Sequence, residues 1–308
     1  MRSRTCPFCD SDSSRLFGIR GDTWTRCRNC RSVFRDITTS RFQEIHDEAF
    51  QDDEFIEASV AATGHQPSTA LWDSLALPGT SVLEIGPGSG HLLAAAHKAG
   101  RSVGAVETSA VHRNYIRDTW GIDSVYSTMD EIPESRAFDA IVAINVFEHI
   151  YDIKGFLHAI RKALAPGGTC YFSTPNALSL EATVLGSWWA MCKVHDHVSF
   201  PSPAGLVTAA QESGLHVERV WSTGLPFEFP VSALVAARDR LLERRGTGKT
   251  ADHDQAQSAA DPARSRTNGP AAKAALARFY SAAAPIDPTH LLLGALGRAG
   301  SVKARLTR

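Results

Sequence analysis

From Thr80 onward, the chain alternates short apolar runs with longer amphipathic segments. The apolar runs are, in order, SVLEI, SVGAVE, DSVY, FDAIVAIN and TCYFSTP. The segments between them, such as GHLLAAAHKAG and IKGFLHAIRKALAPGG, carry apolar residues at helical spacing. Continuous apolar strands joined by helical crossovers are typical of a parallel sheet covered on both faces. The pattern therefore predicts the α/β class, with further strands at 215–224 and in the final SVKARLTR.

The segments on either side of this core follow different patterns. Residues 37–78 are polar and helix-prone, which predicts a helical linker or cap. An insert at about 225–298 is predicted to be helical and partly disordered, because residues 246–270 contain no Leu, Ile, Val, Phe, Met, Trp or Tyr. We therefore divide the chain into a small N-terminal module at 1–36, the cap at 37–78 and the main domain at 79–308.

Composition and charge exclude several classes of protein. The chain has 308 residues, 43% of them hydrophobic, and a formal net charge of -1. That balance argues against a chain held on nucleic acid or anionic lipid by bulk charge. No apolar run reaches the length of a membrane span, and the N-terminal MRSRTCPFCD lacks the apolar segment of a secretory signal. We therefore expect a cytoplasmic protein without a membrane partner, in which six cysteines need an explanation other than disulfides.

Four cysteines form two pairs with the spacing of a metal site. Cys6 and Cys9 form one C-x-x-C pair, and Cys27 and Cys30 form the other, after a gap long enough for a β-hairpin. Two such pairs can surround one tetrahedral Zn²⁺ with four thiolates, which predicts a structural zinc ribbon. The alternatives are two disulfides, chance spacing or a redox pair. Cys170 and Cys192 lie in apolar surroundings and are interpreted as packed thiols.

A glycine-rich turn follows the first strand of the main domain. Glu84 is followed by Gly86, Gly88 and Gly90, where bare backbone lets a ligand approach closely. A dinucleotide fingerprint needs its third glycine at position 91, which is His91. A carboxylate at the strand end is a poor neighbour for phosphate and a good one for a cation. The turn therefore predicts a positively charged ligand.

This E-x-G-x-G-x-G pattern resembles the first motif of class I S-adenosylmethionine (AdoMet)-dependent methyltransferases, and later segments over 79–224 are similar to the ubiquinone-biosynthesis-type branch. The resemblance implies a Rossmann-like seven-stranded sheet and AdoMet as cofactor. It also implies roles for residues beyond the glycine turn. Glu107 would bind both ribose hydroxyls, Met129 and Asp130 the adenine, and Asn145 and Val146 the methionine end.

Two short motifs are candidates for the acceptor side. A base is needed when the acceptor is a hydroxyl or an acidic carbon, because its proton must leave as the methyl arrives. His197 is the first candidate base, followed by His149 and then His195, and Asp196 is a candidate for orienting one of them. We favour this chemistry over a metal on His195 and His197, for which no third ligand is evident. The pair Trp188-Trp189 either closes over the acceptor or packs the core.

A four-cysteine ribbon ahead of such a core also resembles deoxysugar C-methyltransferases. The His-Asp-His run at 195–197 is similar to a His-Glu-His run in their acceptor loop, and this chain lacks their large extra C-terminal domain. The resemblance implies methyl transfer to an O or C atom of a small molecule, such as a sugar or secondary metabolite. One alternative is an rRNA or tRNA methyltransferase that holds RNA with the basic residues of the ribbon, namely Arg20, Arg26, Arg28, Arg31 and Arg35. Another is a non-catalytic AdoMet-binding protein. The oligomeric state is not indicated.

Overall fold

A computed structural model describes residues 5–19, 22–50, 66–186, 189–223 and 300–308. Its strands are β1 (Ser13–Ile19), β2 (Asp22–Cys27), β3 (Val33–Asp36), β4 (Ser81–Ile85), β5 (Ser102–Val106), β6 (Val125–Tyr126), β7 (Phe138–Ile144), β8 (Leu164–Pro175), β9 (Ser199–Phe200), β10 (His216–Thr223) and β11 (Ser301–Thr307). Its α-helices are α1 (Thr39–Phe50), α2 (Thr69–Leu75), α3 (His91–Lys98), α4 (Ala110–Trp120), α5 (Ile153–Ala163), α6 (Leu180–Leu185) and α7 (Pro203–Glu212).

Seven strands form one mainly parallel sheet in the order β10-β11-β8-β7-β4-β5-β6. Only β11 runs antiparallel to its neighbours, β8 and β10. The prediction of an α/β fold with a Rossmann-like seven-stranded sheet is confirmed. Within the sheet, β5 lies on one side of β4, and β7 lies on the other side of β4. Ligands bind in open α/β sheets at the carboxyl ends of the strands where the order reverses, which places the crevice after β4.

Alternating side chains of the central strands pack into two apolar layers. Along β7, Ile141 belongs to the layer under α5 and α7, and Val142 belongs to the layer under α2, α3 and α4. Both residues are fully buried. The strands read as continuous apolar runs in the sequence because both faces of this sheet are covered.

The N-terminal module forms a separate four-stranded sheet, and the main domain contributes its fourth strand. Strands β1, β2 and β3 are antiparallel, as the hairpin prediction required, and the two-residue strand β9 pairs with β3 as a fourth strand. In that pairing Val33 lies opposite Phe200, and Phe34 lies opposite Ser199. The ring of Phe8 also stacks on Phe147 with 6.2 Å between centroids. The ribbon is therefore packed directly on the segment that follows β7 and on the segment around β9.

Several expectations fall on residues outside the described ranges. These are the whole insert at 225–298, including residues 246–270, together with residues 51–65 of the predicted cap, and Arg20 and Trp188. Within the described parts of the chain, none of the helices has the length and apolar character needed to cross a bilayer. The cytoplasmic location stays a prediction, and so do the domain boundaries.

Candidate functional site

The glycine turn after β4 has a left-handed backbone at each of its three glycines. The φ angles are 63° at Gly86, 54° at Gly88 and 74° at Gly90. A Cβ at Gly86 would lie 2.6 Å from Val146 Cγ2, whereas a Cβ at Gly88 would meet no atom within 4 Å among the described residues. Gly88 therefore borders open space, which is the arrangement expected where a ligand approaches the backbone.

Glu107 follows β5 and turns its carboxylate back towards the glycine turn. Its Oε2 accepts the Gly88 N–H at 3.0 Å, and its Oε1 accepts the Ser109 N–H at 2.9 Å. The side chain is buried. Because each carboxylate oxygen has two acceptor sites, one site on each oxygen remains for a ligand hydroxyl. The geometry fits the ribose role implied by the resemblance.

Glu84 is a buried carboxylate at the end of β4. It is only 7% exposed, and its Oε2 has no hydrogen-bond partner among the described residues. Burial, together with the nearby charge of Glu107, raises the pKa of Glu84 to about 8. A backbone hydrogen bond from Leu93 opposes this rise but does not outweigh it, so the buried carboxyl remains costly to ionise unless a cation comes close. A positively charged sulfonium or ammonium group would supply that cation.

The remaining predicted cofactor residues lie on the segments that follow neighbouring strands. Met129 and Asp130 begin a 3₁₀ turn after β6, with Asp130 exposed and Met129 packed on the core. Asn145 follows β7 with φ of 55° and donates its N–H to the Ser173 carbonyl at 2.8 Å. Val146, next in sequence, bounds Gly86. These positions lie at carboxyl ends of strands, and their roles stay predictions.

The two histidine motifs meet in one cluster beyond Val146. His149 ends a 3₁₀ turn, and its Nδ1 lies 3.1 Å from Asp196 Oδ2. The rings of His149 and His197 are in edge contact with 4.8 Å between centroids. The structure therefore brings together His149, Asp196 and His197 of the predicted acceptor-side residues, although His149 and Asp196 are 47 positions apart in the sequence.

The two imidazoles have opposite electrostatic surroundings. Burial alone would lower the pKa of His149, but the hydrogen bond and charge of Asp196 outweigh it, and the net pKa is raised above 6.5. Burial raises the pKa of the Asp196 carboxyl, but the hydrogen bond from His149 and the charges of both histidines outweigh it and hold that pKa well below its usual range. Burial and the neighbouring charge of His149 lower the pKa of His197 to about 3. Near neutral pH, His149 is therefore the more basic of the two rings, and His197 carries no charge.

His197 and His195 differ sharply in position. His197 is 8% exposed, and its Nδ1 lies 3.0 Å from the Met191 carbonyl. His195 turns away from the cluster, with its Nε2 2.7 Å from Glu48 Oε2. A metal held by both His195 and His197 gains no support from this geometry. Donor atoms of Glu148, His149 and His197 lie within 4.8 Å of one another, and that group does not include His195. Sequence reasoning gave Glu148 no role, although it directly precedes His149.

Glu148 and Trp189 are both buried beside this cluster. Glu148 Oε2 accepts the Thr174 hydroxyl at 2.9 Å, and burial raises the pKa of Glu148 despite the opposing charge of His149. The Trp189 ring packs on Phe200 with 4.7 Å between centroids. Of the two interpretations of the tryptophan pair, Trp189 therefore takes the packing role.

The four ribbon cysteines converge on one point. The Sγ atoms of Cys6 and Cys30 are 3.6 Å apart, and those of Cys9 and Cys27 are 3.5 Å apart. All four lie within 4.8 Å of one another. Zn–S bonds of about 2.3 Å in a tetrahedron separate the sulfur atoms by about 3.8 Å. The thiol set and its spacing therefore fit a tetrahedral Zn²⁺, and Cys170 and Cys192 are buried outside the set, as expected.

Sequence reasoning missed how the ribbon reaches the histidine cluster. Ser202 donates its N–H to Ser32 Oγ at 3.0 Å and its hydroxyl to the Cys30 carbonyl. Arg35 on β3 donates to the carbonyl of His195 at 2.8 Å. The two C-x-x-C pairs were a visible signal for the metal site, but nothing in the local sequence indicates these contacts across the chain.

Comparisons with known proteins agree with this geometry. A family profile described as "Methyltransferase domain" matches residues 51–220, which is more than half of the chain. The curated relatives include a ubiquinone biosynthesis O-methyltransferase of Methylocella silvestris, 28% identical over 45% of this chain and 59% of that protein. They also include the human mitochondrial ubiquinone biosynthesis O-methyltransferase, 30% identical over 51% of this chain and 45% of that protein. The chain thus matches only about half the length of these relatives.

Among solved structures, the chain is similar to phosphoethanolamine N-methyltransferase 2 of Haemonchus contortus in complex with S-adenosyl-L-methionine. The TM-score is 0.50 at 17% identity, over 93% of this chain and 63% of that chain, and this likeness concerns the fold. With the sheet order and the family match, the predicted methyltransferase resemblance is confirmed. The chain belongs to the methyltransferase domain family.

Proposed function

We propose that this chain transfers a methyl group from AdoMet to a hydroxyl oxygen, or an acidic carbon, of a small molecule, with His149 as the general base. The observation that carries the proposal is the 3.1 Å contact between His149 Nδ1 and Asp196 Oδ2. A base of this kind is needed when the acceptor loses a proton on methylation. The names of the curated relatives describe O-methyltransferases, which supports oxygen as the methylated atom.

The crevice residues fit AdoMet, which supplies an electrophilic methyl group on a positively charged sulfur when bound. Glu107 would hold the ribose hydroxyls, and Glu84 would offer its unpaired Oε2 to the positive charge. Gly88 would leave room for the ligand beside the backbone. Because in-line displacement depends on alignment, these residues and Val146 would mainly fix the donor against the acceptor.

His149 would take the acceptor proton at Nε2. Its Nδ1 faces Asp196, so the Nδ1–H tautomer is favoured and Nε2 is the free basic atom. As the methyl carbon leaves the sulfur for the acceptor oxygen, the acceptor proton would pass to Nε2, and the Asp196 carboxylate would stabilise the resulting imidazolium. His197 is neutral and contacts the His149 ring, which supports a role in orienting it.

The ribbon is proposed to bind one structural Zn²⁺ through Cys6, Cys9, Cys27 and Cys30. Four sulfur ligands leave no open position for water or substrate. The burial of three of these thiols and their contact with the main domain support a structural role.

An RNA substrate is a weaker alternative. Within the described part of the ribbon, Arg35 is buried and ion-paired with Asp22, and Arg26 is half-buried. Of the arginines named for this role, Arg28 and Arg31 are exposed, and Arg20 lies outside the described residues. Two exposed arginines give little support for holding an RNA backbone.

The direct test is incubation with radiolabelled-methyl AdoMet and defined acceptors: catechols, phenols and deoxysugar nucleotides, with transfer RNA as a competitor class. We expect label in a small organic acceptor that carries a hydroxyl or an acidic C–H. Label only in RNA would replace the proposal with the RNA alternative. Tight AdoMet binding with no label in any acceptor, including cell extract, would favour a non-catalytic AdoMet-binding protein.

Substitution of Glu107 tests the ribose assignment. Glu107→Ala removes two charge-assisted hydrogen bonds, so we expect AdoMet binding to weaken by about 2–4 kcal/mol, roughly 30- to 700-fold in Kd. Isothermal titration calorimetry measures the change. Glu134→Ala, which removes an exposed carboxylate paired with Lys162, is the matched control and should bind normally. Unchanged affinity in Glu107→Ala would refute the ribose role.

The pH dependence of cofactor binding tests Glu84. Because its pKa is raised to about 8, the free carboxyl is largely protonated at pH 7, whereas a sulfonium favours the ionised form. AdoMet should therefore bind more tightly as the pH rises from 6 towards 8, by up to about tenfold per unit. S-adenosylhomocysteine, which has no sulfonium charge, should show a weaker dependence. A slope unchanged in Glu84→Gln would contradict a cation beside Glu84, and equal slopes for the two ligands would assign that cation to the ammonium group that both carry instead of the sulfonium.

A further inference from the structure

Arg35 of the ribbon bonds to the chain on both sides of Asp196 and His197. Its Nη1 donates to the His195 carbonyl at 2.8 Å, and its backbone N–H donates to the Val198 carbonyl at 2.8 Å. These two carbonyls immediately flank Asp196 and His197. One residue of β3 therefore fixes both ends of the loop that carries them.

The Arg35 side chain is itself held firmly in place. It is only 4% exposed, its Nη1 lies 3.7 Å from Asp22 Oδ2, and its guanidinium lies over the Trp24 ring at 5.2 Å. A planar guanidinium can stack and donate hydrogen bonds at the same time, which an ammonium group cannot do. The geometry therefore depends on arginine and not on positive charge alone.

The loop is connected in turn to the segment that carries His149. The Val198 N–H donates to the Glu148 carbonyl at 2.7 Å, one residue before His149. Ser199 Oγ donates to the Phe147 carbonyl at 3.0 Å. The ribbon, the 195–198 loop and the turn after β7 thus form one continuous set of hydrogen bonds.

We infer that Arg35 is a positioning residue for the acceptor-side base, because it holds Asp196 against His149 from the ribbon. The inference rests on the proposed function, in which the His149–Asp196 pair takes the acceptor proton. Arg35 acts through the His195 carbonyl and does not touch the reacting atoms. The ribbon is then part of the machinery of methyl transfer and not only a stabilising module.

The test is the titration of His149, which needs no acceptor. Protein labelled in its histidine rings is titrated by NMR, and the His149 signal is assigned by its loss in His149→Gln. Among the described residues, the titratable groups that face this ring are Asp196 and Glu148, together with His197. In Arg35→Met, Asp196 is released, so we expect the His149 pKa to fall towards its ordinary value of 6.5. With an acceptor, kcat should fall about 10- to 100-fold while AdoMet affinity stays within twofold.

Two further variants separate positioning from a general loss of stability. Arg35→Lys keeps a charge beside Asp22 but not the flat stacking, so the His149 pKa should lie between those of the wild type and Arg35→Met. Arg41→Met also removes a partner of Asp22, at 3.4 Å, yet Arg41 has no hydrogen bond to the 195–198 loop in the described structure. It should leave the titration unchanged.

The outcomes distinguish this inference from the proposed function. A His149 pKa that stays at the wild-type value in both Arg35 variants, with metal content and AdoMet binding intact, would overturn the positioning role alone. Full methyl transfer by His149→Gln would overturn the proposed base instead. If Arg35→Met loses its metal or fails to bind AdoMet, the His149 pKa measured in Arg35→Lys decides whether Arg35 positions the base.

Discussion

His149→Gln should lower methyl transfer by about 10²- to 10⁴-fold while AdoMet binds with wild-type affinity. Glutamine keeps much of the volume and hydrogen-bonding capacity of the ring but cannot accept a proton near neutral pH. Glu84, Glu107 and the glycine turn lie on other segments than His149, and a change of the His149 side chain leaves the backbone of Asn145 and Val146 in place, so Kd should not change. Single-turnover rates with labelled AdoMet, together with calorimetry of cofactor binding, measure the two quantities separately.

The pH profile identifies the base more sharply than the rate alone. Because the pKa of His149 is raised, the ring is protonated and inactive as a base at acid pH, and kcat/KM should rise with pH through a value above 6.5. Asp196→Asn removes the charge that raises this pKa, so the acid limb should move to lower pH. The maximal rate should also fall, because the carboxylate no longer stabilises the imidazolium.

Two control experiments test whether the loss of rate is due to the loss of the base. His158→Gln removes an exposed histidine that contacts the Lys154 carbonyl, and it should behave as the wild type. A divalent cation on Glu148, His149 and His197 is the main rival explanation for a rate loss in His149→Gln. Activity that disappears on chelation and returns with Mg²⁺ or Mn²⁺, but not with Zn²⁺, would favour that rival. An acid limb that does not move in Asp196→Asn would also count against the base.

Local sequence was sufficient for most of the main sheet and for the cofactor crevice. The strands β4, β5 and β7, together with Cys170 to Phe172 of β8, are apolar runs, because their side chains are buried on both faces of the sheet. The crevice could be placed because Glu84 and the three glycines are adjacent in sequence. One short segment supplies the carboxylate, the glycine backbone and the start of the helix. The crevice can therefore be predicted without knowledge of any distant contact.

The acceptor side could be predicted only in part, because long-range packing decides it. Sequence reasoning ranked His197 ahead of His149, yet burial leaves His197 neutral and the contact with Asp196 makes His149 the basic ring. The strand β9 is only two residues long and has no periodicity of its own. Its pairing with β3 is what brings Arg35 to the His195 carbonyl, and no local pattern predicts such a pairing.

Loss of the ribbon metal should therefore have an effect far from the cysteines. We expect wild-type protein to contain one zinc per chain and the Cys6→Ser, Cys27→Ser double variant to contain none. Structural zinc sites of this kind contribute about 10–16 kcal/mol of apparent binding free energy at pH 7, which is folding free energy for a small module. The ribbon has few strands and a small core, so without metal it should unfold.

The unfolded ribbon would release contacts that position the acceptor side. Cys30 and Ser32 hold Ser202, and Arg35 holds the 195–198 loop. Methyl transfer should fall at least as far as in Arg35→Met, whereas the glycine turn, Glu84 and Glu107 receive no hydrogen bond from the described part of the ribbon. AdoMet binding should therefore persist at near wild-type affinity. Metal analysis, calorimetry and single-turnover rates on the same preparation measure the three effects.

Cys192→Ala is the matched control, because Cys192 is a buried thiol beside the ribbon that lies outside the four-cysteine set. It should retain zinc and keep most of its methyl transfer. Zinc retained in the double variant would contradict the ligand assignment. Loss of zinc with full methyl transfer would show that the ribbon metal is not needed for catalysis. The contacts from β3 to the 195–198 loop would then either persist without the metal or have no effect on the base. A combined loss of zinc and turnover, with cofactor binding intact, is the result that links the four thiols to His149 through β3.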